Sequence, residues 1–148
     1  MNVIVAKMLT IAPEIFKKRN ILFAYLYGSI ALGQSHRFSD MDIGVYIKEI
    51  PQDEFRRLEL TLALEIDEKL KDSPESDVRI MNHLPLAING KIVTEGILIY
   101  CEDDKQRIEF ETNTRMAYFD FHPRIRSYQR TFMEQLRVAE NSEGYYRT

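Results

Sequence analysis

The sequence predicts an α/β (α+β) fold: a short mixed sheet flanked by helices, with a helical C-terminal segment. Three observations predict it. Ile21 to Tyr27 is an unbroken apolar and aromatic run bounded by Asn20 and Gly28, the pattern of a strand buried on both faces and ended by a turn. Asp40 to Ile47 alternates, with Met41, Ile43, Val45 and Ile47 on one face of a second strand and Asp40, Asp42 and Gly44 on the other. Phe55, Leu58, Leu62, Ile66 and Leu70 recur at helical spacing. They form the stripe of a helix that connects the second strand to a third, Ser76 to Met81.

The elements follow in order along the chain. Ile11 to Arg19 predicts a short helix, with Pro13 near its start and Lys17, Lys18 and Arg19 in its last turn, where cations suit the helix dipole. Behind the first strand, Ile30-Ala31-Leu32 forms one helical turn closed by Gly33, with a helix N-terminus at Ser29. Pro51 ends the second strand, and Asp53 caps the connecting helix, which runs down to Ser73-Pro74. In the third strand Val78 and Ile80 share one face, Asp77 and Arg79 the other. Ile97 to Cys101 makes a further short strand. After Asp103-Asp104 a helix runs toward Phe121, with Phe110, Ala117 and Phe121 inward, and Pro123 interrupts it. A second stripe, Ile125, Tyr128, Phe132, Leu136 and Ala139, continues to Gly144. Such a stripe ordinarily packs a core. Arg124, Arg126, Arg130 and Arg137 on the same helix leave a partner-binding face as the alternative.

Composition bounds the function. The chain has 148 residues, 45% hydrophobic and 29% charged, enough for one domain with a substantial core. No repeat, low-complexity tract or linker is visible, so a single domain over 1–148 is expected, with a core of about 1–102 and a helical segment of about 103–140. Cys101 is the sole cysteine, which excludes a disulfide framework and a cysteine-based zinc site. His36, His83 and His122 show no ligand spacing. A net charge of −3 argues against direct nucleic-acid binding. No apolar stretch approaches a membrane span and no signal-peptide pattern opens the chain, so a cytoplasmic location without membrane association is expected.

The chemistry concentrates in one spacing: Gly28-Ser29, ten residues, then Asp40-Met41-Asp42. Four fixed identities arise by chance at roughly 10⁻⁵ per position, or about 10⁻³ across a chain of this length. Gly28 lets the backbone approach an anion, and Ser29 adds a hydroxyl beside exposed N–H groups. Asp40 and Asp42 stand side by side, with Gly44 leaving open space beside them. Paired carboxylates repel one another unless a cation or proton lies between them, and magnesium prefers such oxygens together with substrate phosphates. Asp77 on the neighbouring strand offers a third acid, which would allow two metal ions to clamp a phosphoryl displacement. Taken singly, each feature has a plainer alternative: a strand-to-helix turn at Gly28, a solvated strand face at the acids, a local cap at Ser39. Asp77 alone is a weak signal among 23 acidic residues.

These motifs resemble the nucleotidyltransferase superfamily related to DNA polymerase beta, in particular the minimal nucleotidyltransferases of MntA type that act as antitoxins to HEPN-domain toxins. The resemblance is carried by Gly28-Ser29-Ile30-Ala31-Leu32-Gly33, Ser39-Asp40-Met41-Asp42-Ile43-Gly44-Val45 and Ser76-Asp77-Val78-Arg79-Ile80-Met81-Asn82. Glu95 to Tyr100 and Tyr118 to Pro123 extend it more loosely. Leu32 stands where the family often has a basic residue, and Arg79 where an apolar one is usual.

The resemblance implies a polymerase-beta-like nucleotidyltransferase fold and transfer of AMP from ATP to a hydroxyl, with release of pyrophosphate. It implies catalytic and metal-binding roles for Asp40, Asp42 and Asp77, nucleotide binding by Gly28, Ser29 and Ser39, and two Mg2+ ions. It further implies a cognate HEPN toxin as acceptor through a tyrosine hydroxyl, in a hetero-oligomer. Two alternatives stay open: a small-molecule nucleotidyltransferase, and an antitoxin that acts by binding alone.

Overall fold

The computed structural model describes residues 3–33 and 40–143, and in the last helix the side chains of 104–121, 130–131 and 133–137. Its elements are α1 (Val3–Phe16), β1 (Ile21–Tyr27), β2 (Met41–Ile47), α2 (Phe55–Lys69), β3 (Ser76–Ile80), α3 (Leu86–Glu95), β4 (Ile97–Cys101) and α4 (Asp104–Glu143), with short 3-10 turns at Gln52–Glu54 and Met81–His83. The sheet order is β3-β2-β1-β4. β1 pairs antiparallel with β2 and β4, whereas β2 and β3 run parallel. The parallel pair needs a crossover, and α2 supplies it.

Strand periodicity sorts the side chains into two layers. Met41, Ile43, Val45 and Ile47 face one way together with Ala24, Leu26, Val78 and Ile80, and pack against Met8, Ala12, Ile15 and Phe16 of α1 and Leu62 and Ile66 of α2. Burying these side chains is the main driving force for the fold. On the opposite face Phe23 stacks on Tyr46 with centroids 4.8 Å apart, and Phe110 of α4 tilts against both. Met81 and Ile92 complete this second layer.

Polar side chains fasten the edges. Ser76 N–H donates to Asp67 Oδ1 (2.9 Å) and Ile80 N–H to Glu59 Oε2 (2.9 Å), so two acids of α2 satisfy backbone donors of β3. Asn82 exchanges two hydrogen bonds with the Ile47 backbone, at 3.0 and 2.8 Å. The Tyr25 hydroxyl donates to Glu111, whose other oxygen accepts from Arg107 (3.0 Å), tying the start of α4 to β1.

Several expectations need correction. α1 begins at Val3 and ends at Phe16, so Pro13 lies inside the helix rather than near its start. Lys18 and Arg19 lie beyond its end and pair with Glu65 of α2, not with the α1 dipole. Asp53 caps nothing: the short turn and α2 both begin without a side-chain cap. α3, Leu86–Glu95, is a helix that the sequence pattern does not announce. Pro123 does not interrupt α4, which is continuous from Asp104 to Glu143. A proline removes one N–H from the helix ladder, and the other ladder bonds carry the backbone through.

Candidate active site

The C-terminal end of β1 and the N-terminal ends of β2 and β3 meet at one corner of the sheet. Tyr27 lies opposite Asp42 in the β1–β2 ladder, and Asp42 lies opposite Asp77 in the β2–β3 ladder. Because register partners project to the same face, Tyr27, Asp42 and Asp77 share it. Asp40 directly precedes β2 and is exposed.

Gly28 follows β1 with φ +79°, a conformation suited to glycine. A Cβ at this position would overlap the Asp42 carboxylate at Oδ2. The two halves of the motif are thus in van der Waals contact. From Gly28 the chain makes a single turn, with Leu32 N–H bonded to Gly28 O (3.2 Å) and Gly33 N–H to Ile30 O (3.1 Å). Ile30 is buried beneath it and Ser29 is half-buried. The expected helix N-terminus at Ser29 does not form, so anion binding here would rest on turn N–H groups rather than on a helix dipole. Ser39 and His36 lie outside the described residues.

Gly44 has a different role from the one expected. Its Cα faces Met81, whose Sδ would be 3.0 Å from an added Cβ. The space beside the acids is therefore filled by Met81, and the glycine permits that packing.

The acids feel one another. Burial raises the Asp42 carboxyl above the ordinary carboxylate range; the charges of Asp77 and then Asp40 raise it further, and Arg79 opposes them. Burial and then the charge of Asp42 push the Tyr27 phenol up to about 12. Tyr27 therefore belongs to this corner, although its sequence context showed only a strand residue. Its place immediately before Gly28, opposite the second aspartate in an antiparallel ladder, was the available signal. Arg79 Nε lies 3.7 Å from Asp77 Oδ2, with both side chains about half exposed (50% and 43%).

The donor set consists of hard carboxylate oxygens, the chemistry that suits magnesium. Among the described residues no three His, Cys, Asp or Glu side chains already form a cluster able to hold a metal ion. His83, the histidine whose side chain is described, stacks on Phe55 at a centroid distance of 5.6 Å. No helix among the described residues is long and apolar enough to cross a membrane.

Comparisons with known proteins bear on the fold and the family. Among curated proteins nothing matches. Among solved structures, a chain of a toxin–antitoxin complex with AMP-PNP is 16% identical, with TM-score 0.64 over 86% of this chain and 97% of that one. A chain of the MntA–HepT toxin–antitoxin complex is 14% identical, with TM-score 0.56 over 87% and 96%. A chain of the complex between the tri-AMPylated Shewanella oneidensis HEPN toxin and MNT antitoxin is 13% identical, with TM-score 0.58 over 89% and 98%. At these identities the likeness establishes a common fold. The sequence model of the family described as polymerase beta, nucleotidyltransferase, matches residues 10–105, a span holding the glycine turn, the three aspartates and all four strands. The chain belongs to the polymerase beta nucleotidyltransferase family.

Proposed function

We propose that this chain is a magnesium-dependent adenylyltransferase antitoxin, which moves AMP from ATP to a tyrosine hydroxyl of a cognate HEPN-domain toxin. The observation that carries the proposal is the corner itself: a glycine turn pressed on Asp42, with Asp77 in register beside it. The fold shared with chains of toxin–antitoxin complexes, one with AMP-PNP and one with a tri-AMPylated HEPN toxin, supports the choice of nucleotide and acceptor.

In this scheme the acceptor oxygen attacks the α-phosphorus of ATP. The bond between the α-phosphorus and the bridging oxygen breaks, and pyrophosphate leaves with that oxygen. Gly28 and Ser29 position the outer phosphates through the turn, joined by Ser39. Asp40 and Asp42 would hold magnesium, and Asp77 would help ligate the metal at the attacking oxygen and accept that oxygen's proton. Bound magnesium would supply charge neutralisation for the triphosphate. Phosphoryl chemistry of this kind depends on positioning and charge stabilisation more than on covalent help, which a small domain can provide.

The experiment is to co-purify the chain with its toxin, add ATP and magnesium, and weigh the toxin by mass spectrometry. AMP additions to the toxin, absent with Asp77→Asn, are the expected result. Neutralisation of the toxin without any added mass would replace this proposal with inhibition by binding alone.

A further inference from the structure

We propose that Arg79 is a binding residue for the phosphate oxygens of the nucleotide, held ready by its ion pair with Asp77. The inference rests on the nucleotidyl-transfer proposal and adds a residue to that site.

Position is the first argument. Arg79 follows Asp77 by two residues on the same strand, so it projects to the same face, and its register partner is Gly44, two residues on from Asp42. Its guanidinium lies 3.7 Å from Asp77 Oδ2 and its side chain is half exposed. The group is therefore inside the acid corner, with freedom to turn.

Charge balance is the second. Asp40, Asp42 and Asp77 contribute three negative charges and Arg79 one positive charge, a sum of −2 at the corner where a polyanion must bind. The charge of Arg79 is felt by both Asp42 and Tyr27. An exposed ion pair of this length is weak, so the guanidinium can be handed over. Asp77, once it ligates a divalent cation, no longer needs Arg79. The planar fork of the guanidinium then matches phosphate oxygens better than any other side chain.

The arrangement predicts opposite effects on two ligands. In the full-length chain, Arg79→Leu should bind Mn2+ alone about threefold more tightly, because Asp77 loses a competing cation. The same variant should bind magnesium-ATP about tenfold more weakly, because a charge-assisted phosphate contact is lost. Arg79→Lys should recover part of the ATP affinity. Mn2+ binding can be followed by electron paramagnetic resonance, ATP binding by calorimetry, and folding of each variant by circular dichroism. Unchanged affinities, or two affinities moving in the same direction in folded variants, would overturn the role of Arg79 while leaving the site intact. A wild-type chain that binds neither Mn2+ nor ATP would overturn the nucleotidyl-transfer proposal itself.

Discussion

Gly28 and Asp42 touch: the α-carbon of the glycine leaves no room for a methyl group beside the carboxylate oxygen Oδ2. This contact joins two parts of the sequence that are not adjacent, and it fixes where the proposed phosphate-binding turn stands relative to an acid. Gly28→Ala therefore combines a strained positive φ with a displaced carboxylate. Its expected cost is about 1–3 kcal/mol of stability, together with loss of ATP binding, measured by chemical denaturation and calorimetry. A stable variant with full ATP affinity would show that the contact is incidental.

Asp42 carries a raised carboxyl because it is partly buried near Asp77 and Asp40. In metal-free protein at neutral pH, Asp42→Asn should relieve that repulsion and raise the melting temperature by a few degrees. Magnesium should stabilise the wild type by mass action and leave the variant almost unmoved. A melting temperature that responds to magnesium equally in both proteins would remove Asp42 from the metal site.

Asp77 is proposed to act at the attacking oxygen, so its loss should separate chemistry from binding. For Asp77→Asn we expect AMP transfer to fall at least a hundredfold, on the order of a general-base contribution. Affinity for ATP should fall far less. Single-turnover assays beside equilibrium binding make the comparison, and parallel losses would assign Asp77 to ground-state binding instead.

Gly90 packs under the ring of Tyr118, where a Cβ would overlap the aromatic carbons. Gly90→Val should destabilise the domain by about 1–3 kcal/mol through overpacking and loosen α4 from α3. Hydrogen exchange should then rise in the first half of α4 while β1 and β2 stay protected. Uniform protection across α4 would mean that this seam does not hold the helix.

Arg126 and Arg130 test the surface that a macromolecular acceptor would use. Arg130 is exposed on α4 alongside Met133 and Leu136, and arginine is a favoured interface anchor. Arg126→Glu with Arg130→Glu should weaken toxin capture in a pull-down tenfold or more, with ATP binding unchanged. Intact capture with lost ATP binding would move these arginines to the nucleotide site.

The four strands were legible because each is short and strongly patterned, and the apolar face of β2 follows from alternation alone. Asp77 could be placed on a strand neighbouring that of Asp42 only by combining a helical stripe with the crossover it implies, and its register opposite Asp42 comes from the ladder itself. Proline and glycine misled where tertiary packing outweighed local preference: Pro13 and Pro123 both sit within helices. α3 was hidden by Asn89 and Gly90, poor helix formers whose places are fixed by other contacts. Asn89 Nδ2 donates to Met81 O (2.9 Å), and Gly90 makes room for Tyr118. Gly44 suggested open space, and only the path of the chain after β3 reveals Met81 filling it. Tyr27 is not legible in the sequence, because an aromatic residue at a strand end gives no sign of the charges it will face.

The register between β2 and β3 has a consequence for how this corner can vary. Because Asp42 and Asp77 are ladder partners, the step between their backbones is set by the strand repeat, about 4.8 Å, and not by the helix and turns that join them. Residues can be added to or removed from that connection without changing the step, provided the ladder re-forms in phase. A slip of one residue in β3 would instead turn Asp77 into the apolar layer and bring Val78 or Ser76 to the corner. The sheet thus acts as a ruler for the two carboxylates, tolerant of length in the crossover and intolerant of a shift in pairing.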